Sequence, residues 1–167
     1  LINKFRIDIS SYWHNDFYLK YDFSLNDQTK LEVKTTSNST RIHRVNHEQV
    51  FTNNNVILSS VMIRKDDSGL TVFDLFENVK TLFTNDYNKI VKYEKMLRKI
   101  DEEEAERFEL NYANDNIKMY KVAFIPKFEM KEPEGVYRTE YDIDLSNIES
   151  LTDDEISIFF NEAIKND

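Results

Sequence analysis

Glu32 and Lys34 occupy alternate positions of Leu31-Glu-Val-Lys34. On an extended strand such positions face the same side, so a carboxylate and an ammonium stand together while Leu31 and Val33 turn to the opposite, apolar face. Asp16 lies upstream, at the head of the aromatic-rich stretch Phe17-Tyr-Leu-Lys-Tyr-Asp-Phe-Ser-Leu25. If a hairpin folds that stretch back onto the Glu32 strand, Asp16 joins Glu32 and Lys34 in one cluster. Two hard carboxylates would then hold Mg2+ or Mn2+ beside a phosphate. The metal would polarise phosphoryl oxygens and acidify a bound water, and Lys34 would orient that water or offset charge in the transition state. The same E-x-K spacing also occurs on ordinary solvated strands, where the pair is worth only about a few tenths of a kcal/mol. The triplet therefore needs support from its surroundings.

The elements that must position it are legible in outline. Asn26-Asp27 supplies turn residues between residues 17–25 and the strand-like Lys30-Leu-Glu-Val-Lys-Thr-Thr36, which predicts a β-hairpin. Arg41-Ile-His-Arg-Val45 reads as a third strand, and Asn46 can cap a short helix through Phe51. Val56 to Ile63 is a nearly continuous apolar run, as in a central strand, and the polar residues 64–69 read as the turn that ends it. Thr71 and Asp74 form a capping pair for a helix with Val72, Leu75, Phe76, Val79, Leu82 and Phe83 on one face. Helical spacing continues over 86–100, and residues 101–112 read as a further helix whose acidic first turn is Asp101-Glu-Glu-Glu104. Met119–Ile125 and Gly135–Leu145 read as strands, and Thr152 caps a last helix with Ile156, Phe159, Phe160 and Ile164 on one face.

The 167 residues fit one ordinary domain. Residues 12–65 would hold the core hairpin and central strands, and residues 71–167 a helical and strand extension. The absence of cysteine removes disulfides, thiolate catalysis and cysteine-based zinc sites, and points to a reducing cytoplasm. No apolar run approaches the roughly 20 residues that cross a bilayer, so no membrane role is expected. The net charge of -9 opposes a polyanionic partner, but the charge is uneven. Residues 1–65 carry nine Lys or Arg against six Asp or Glu, so an anion would be met in the first half.

Trp13-His-Asn-Asp-Phe17, Leu31-Glu-Val-Lys-Thr-Thr36, Arg41-Ile-His-Arg-Val45 and His47-Glu-Gln-Val50 together resemble a bacterial family grouped with the PD-(D/E)xK nucleases. Tyr120-Lys-Val-Ala-Phe-Ile-Pro126, Gly135-Val136 and Tyr141-Asp-Ile-Asp-Leu145 resemble that family's carboxy-terminal pattern. The resemblance implies an α/β (α+β) fold with a restriction-endonuclease-like mixed sheet core, flanking helices and a strand-rich extension. It implies a metal-dependent DNA endonuclease of bacterial restriction or defence, with Asp16 and Glu32 as metal acids and Lys34 as the catalytic lysine. Gln49 matches a recurring glutamine that supports water or phosphate, and Trp13 a packing position. Many related nucleases add a glutamate from a helix before the first core strand, and residues 1–13 contain none. With a leucine as first residue, this leads us to expect a fragment, inactive unless the full-length protein restores that helix.

Lys20, Lys30, Arg41, His43 and Arg44 lie on or just after the hairpin and are candidates for phosphate contacts with DNA, although each alone is equally well an ordinary surface charge. His14, His43 and His47 lack the spacing of a zinc protease. The tyrosines are expected to pack rather than stack on bases. Two further classes compete with the nuclease: a non-catalytic nucleic-acid-binding or assembly module that retains the fold, and a purely structural domain. Other restriction or defence subunits, or a second copy of the chain, are the partners such a module would have.

Overall fold

Val56-Ile-Leu58 is buried on both sides, and the larger part of the molecule is built around it. The computed structural model describes residues 1–13, 19–81, 87–101, 105–109 and 116–165. The chain forms two compact units, one of Leu1–Met62 with Asp115–Asp167 and the other of Ile63–Asn114.

The first unit begins with the single-turn α1 (Ile2–Phe5) and a 3-10 turn at Ser10–Tyr12. A hairpin of β1 (Phe23–Ser24) and β2 (Thr29–Thr36) follows, then β3 (Ile42–Asn46), the one-turn α2 (His47–Val50) and β4 (Asn55–Met62). In chain order the second unit comes next, with β5 (Arg64–Leu70), α3 (Val72–Lys80), α4 (Tyr87–Leu97) and β6 (Phe108–Glu109). The chain then returns to the first unit through β7 (Ile117–Lys121), β8 (Glu140–Asp144) and α5 (Asp153–Lys165).

The main sheet has the order β1-β2-β4-β7. Its pairs are antiparallel, parallel and antiparallel, so the sheet is mixed, with β2 and β4 at its centre. Because β2 and β4 run parallel and in register from Thr29 beside Asn55 to Thr36 beside Met62, alternate residues of both strands share a face. On one face Leu31, Ile57 and Met119 pack against Ile156, Phe159, Phe160 and Ala163 of α5. On the other, Val56, Leu58 and Tyr120 pack against Val45, Val50, Ile143 and Leu145, beneath the separate β3–β8 ladder and α2. The molecule is a mixed α/β fold with helices flanking a mixed sheet. Thr152 and Glu155 exchange the bonds of a capping box at the start of α5, and Asp153, Asp154 and Glu155 fill its first turn, where the helix dipole favours acids. No helix among the described residues is long and apolar enough to cross a membrane.

Several elements are shorter than their sequence signal. Of residues 17–25 only Phe23–Ser24 is strand among the described residues, because Lys20 and Tyr21 are drawn instead to Gln49. β7 ends at Lys121, and a 3-10 turn over Val122–Phe124 precedes Pro126. β8 starts at Glu140 rather than near Gly135.

In the second unit two expectations fail. Residues 64–69 are not a turn but β5, and Phe108–Glu109 is not helical but β6, its antiparallel partner. The charges that resemble turn composition are paired across this ladder, Arg64 with Glu109 and Lys65 with the preceding Glu106. Thr71 and Asp74 form the expected capping box of α3. Phe76 of α3 meets Tyr93 of α4 with ring centroids 6.0 Å apart.

Gly69 sits where a Cβ would collide with the Phe108 carbonyl, so the close approach of β5 to β6 depends on a residue without a side chain. Gly69→Ala is expected to destabilise the second unit by about 1–3 kcal/mol. Faster amide exchange in β5 and β6, with that of β4 unchanged, would register the effect.

Candidate active site

The hairpin turn sets the register on which the site depends. Asn26 Oδ1 accepts the backbone N–H groups of Gln28 and Thr29 at 3.0 and 2.8 Å, and the Leu25 N–H donates to the Thr29 carbonyl at 3.0 Å. The Asn26 amide also donates to the Ala163 carbonyl of α5, which ties the turn to the core. Phe23 then pairs with Leu31 and Ser24 with Lys30. Asp22 precedes the paired Phe23, and its carboxylate is near enough to act on Glu32. Asp22 is half-buried, and its Oδ2 accepts the Val33 N–H at 2.8 Å.

Glu32 is buried on the face of β2 that looks toward α2. Lys34 Nζ lies 2.7 Å from Glu32 Oε1, and Gln49 Nε2 donates to the same oxygen at 2.8 Å. Gln49 Oε1 accepts the Asn46 N–H at 3.3 Å, and its Nε2 also donates to the Lys20 carbonyl at 2.8 Å. With its oxygen engaged at Asn46, the amide must present its nitrogen to Glu32. The single turn of α2 is itself held by His47, whose Nε2 donates to the Met130 carbonyl at 2.7 Å and whose ring stacks on Phe51 at 5.0 Å. Lys34 and Gln49 both engage Oε1, so neither occupies Oε2.

Burial pushes the Glu32 carboxyl above its ordinary 4.5. The Lys34 ammonium opposes that shift by attraction and hydrogen bonding, the negative Asp22 reinforces it, and the Gln49 bond opposes it. The effect of Asp22 on Glu32 places the second acid close enough to act on the first. Two oxygen acids, one ammonium and one amide donor form a set of the kind that binds a hard divalent cation next to a phosphate. Among the described residues no group of three or more His, Asp or Glu is placed to hold a metal ion.

The residues singled out by sequence are distributed unevenly. Glu32, Lys34 and Gln49 come together as described, whereas Asp16 falls among residues 14–18, outside the described residues. Lys20 is exposed. The Lys30 ammonium donates to the Asn26 carbonyl at 2.7 Å. Arg44 is exposed and paired with Asp142 at 3.1 Å. Arg41 and His43 are buried on the same sheet face as Lys34, both bonded to Ser60. Trp13 bridges to Phe23 at the outer side of β1. Asp22, mid-way along an aromatic run, has no site role in the sequence reading, and the structure puts its carboxylate on the Val33 N–H, near Glu32.

A mixed sheet flanked by helices, with an acid–x–lysine strand at its centre, agrees with a PD-(D/E)XK-like architecture. Residues 3–146 match the family described as "Putative PD-(D/E)XK family member (DUF4420)", and the chain belongs to that family. No curated protein and no solved structure matches the chain.

Because the Glu32 carboxyl is raised, the fold favours its protonated form, and the stability so gained is full below pH 4.5 and lost as pH rises through the raised value. Above that point the ionised group is a net cost to the metal-free protein. Glu32→Gln is therefore expected to raise the metal-free melting temperature at pH 8 and to leave it nearly unchanged at pH 4. Thermal melts across that range would show a difference that widens with pH, and a variant destabilised at pH 8 would contradict the assignment.

Proposed function

We propose that the chain carries the centre of a metal-dependent DNA endonuclease site, with Asp22 and Glu32 as metal acids and Lys34 as the catalytic cation. The observation that carries this reading is Glu32 itself, a buried carboxylate between Lys34 and Gln49 and near a second acid. Such a charge is costly to bury unless it is used. Family membership supports a nuclease-related fold, and the site residues fit a hard cation in donor chemistry, since both acids offer oxygen.

Bound Mg2+ or Mn2+ would supply Lewis acidity toward a phosphodiester and a water of lowered pKa. Glu32 and Asp22 would hold it, with Asp16 as the sequence's candidate for a further oxygen. Lys34, half-buried and tethered at Glu32, brings a positive charge to where phosphate oxygens gain negative charge. Gln49 fixes the direction of the Glu32 carboxylate. Lys20 and Arg44, exposed on this unit, would contact backbone phosphates and position the duplex without reading bases.

A second reading is a nucleic-acid-binding or assembly module that keeps the fold without the chemistry, joined to other restriction or defence subunits or to a second copy. The satisfied Glu32–Lys34 pair favours it, since a closed ion pair needs no metal.

Calorimetric Mn2+ binding by this chain separates the two. Asp22→Asn is expected to weaken binding at least about tenfold, through loss of a charged oxygen ligand. Weakening by Asp16→Asn with Asp22→Asn unchanged would return the first acid to Asp16, and no binding by the unaltered chain would favour the module. Lys34→Met should leave Mn2+ affinity intact while lowering DNA cleavage at least about tenfold, equivalent to roughly 1.4 kcal/mol.

A further inference from the structure

Next to Lys34 lies a buried polar cluster that the proposed chemistry leaves unused. Ser60 is the in-register neighbour of Lys34 in the β2–β4 pair and is fully buried. Arg41 Nη1 donates to Ser60 Oγ at 2.8 Å and to the Ser60 carbonyl at 3.0 Å, and His43 Nε2 lies 2.7 Å from the same hydroxyl. Arg41 is 7% exposed and His43 3%. Packed apolar residues would fill such a place at lower cost than a buried charge and its partners.

The hydrogen inventory at Ser60 favours one wiring of the cluster. A guanidinium only donates, so Ser60 Oγ accepts from Arg41. The serine hydroxyl hydrogen then finds an acceptor if His43 Nε2 carries its lone pair, which requires a neutral imidazole with its proton on Nδ1. A protonated imidazole would make Nε2 a second donor at Ser60 and add a third cation beside Arg41 and Lys34. Burial, then Arg41, then Lys34 hold the imidazole below its ordinary range, and the Thr35 backbone acts weakly the other way. Of the two ring nitrogens Nε2 makes the close contact, with Ser60, and Nδ1 is buried with no partner at hydrogen-bond distance. Among the described residues this face also carries Glu32 and Lys30 of β2 and Lys118 of β7, the neighbour of Ser60, and the β8 residue opposite His43 is the apolar Ile143.

We propose that His43 is a positioning residue: with Ser60 and Arg41 it forms a neutral-to-cationic wall beside Lys34 that turns the lysine ammonium onto Glu32. The inference rests on the reading of Glu32 and Lys34 as the site and concerns what aims its lysine. Glu32 attracts the ammonium, while neutral His43 holds Ser60, the in-register neighbour of Lys34, and with it Arg41 in place. Arg41 and His43 thus act through Lys34 rather than by touching DNA.

The test uses nitrogen-15 NMR on this chain without metal or DNA, so its outcome does not depend on cleavage. His43 is expected as the Nδ1–H tautomer, and the Lys34 ammonium is expected to exchange slowly with water. Ser60→Ala and His43→Phe should speed that exchange at least about tenfold, the scale of one lost hydrogen bond. His43→Gln, whose amide oxygen can stand in for Nε2, should stay near the unaltered chain. The tautomer is read in the unaltered chain, so it decides the matter even if a variant fails to fold. An Nε2–H tautomer, or unchanged Lys34 exchange in folded Ser60→Ala, would overturn the proposal. A positive result beside a protein that binds no Mn2+ would leave the wall standing and remove the nuclease reading instead.

Discussion

A carboxylate buried on a sheet face is the constraint around which the rest of the first unit is arranged. Glu32 is 5% exposed, and leaving it uncompensated there would cost several kcal/mol. Lys34 compensates by charge and Gln49 by an amide hydrogen bond, both at Oε1. Even so, burial remains the largest influence on its protonation. A residual electrostatic cost at a partly polar position is the pattern expected of a site kept for binding or catalysis rather than for stability.

The compensation works only if β2 and α2 are held still relative to each other, and the apolar packing does that. α5 and the amino-terminal residues pack one face of the sheet, and the β3–β8 ladder packs the other. At one end of that second face the core is Val56, Leu58 and Tyr120. Two residues further along β4 it becomes Ser60, with Arg41 and His43. The change from apolar to polar within one strand face places the charged cluster at the edge of the core, where Lys34 keeps partial access to solvent. α2 supplies Gln49 from a single turn, too short to be stable alone, and depends on the His47 contacts to stay in place.

How much of this was legible in the sequence follows from which interactions are local. Alternation alone puts Glu32 and Lys34 on one face, and the long apolar run marks β4 as the central strand. The capping pairs at Thr71 and Thr152 are local hydrogen bonds and could be read directly. Pairing between distant segments could not. The charges of residues 64–67 resemble a turn until Glu106 and Glu109 are brought opposite them. Arg41 and His43 resemble surface cations until Ser60 is placed between them. Asp22 became visible only once the Asn26 turn had set the hairpin register, whereas Asp16 rested on its position at the head of the run and on a family pattern.

If Asp22 and Glu32 form a cation site, anomalous diffraction from a crystal soaked in Mn2+ will locate the ion. A manganese peak is expected between Asp22 and Glu32, with oxygen atoms of both as ligands and the Lys34 ammonium retained beside Glu32. A peak that excludes Glu32, or an intact Glu32–Lys34 ion pair with no manganese at saturating concentration, would contradict it.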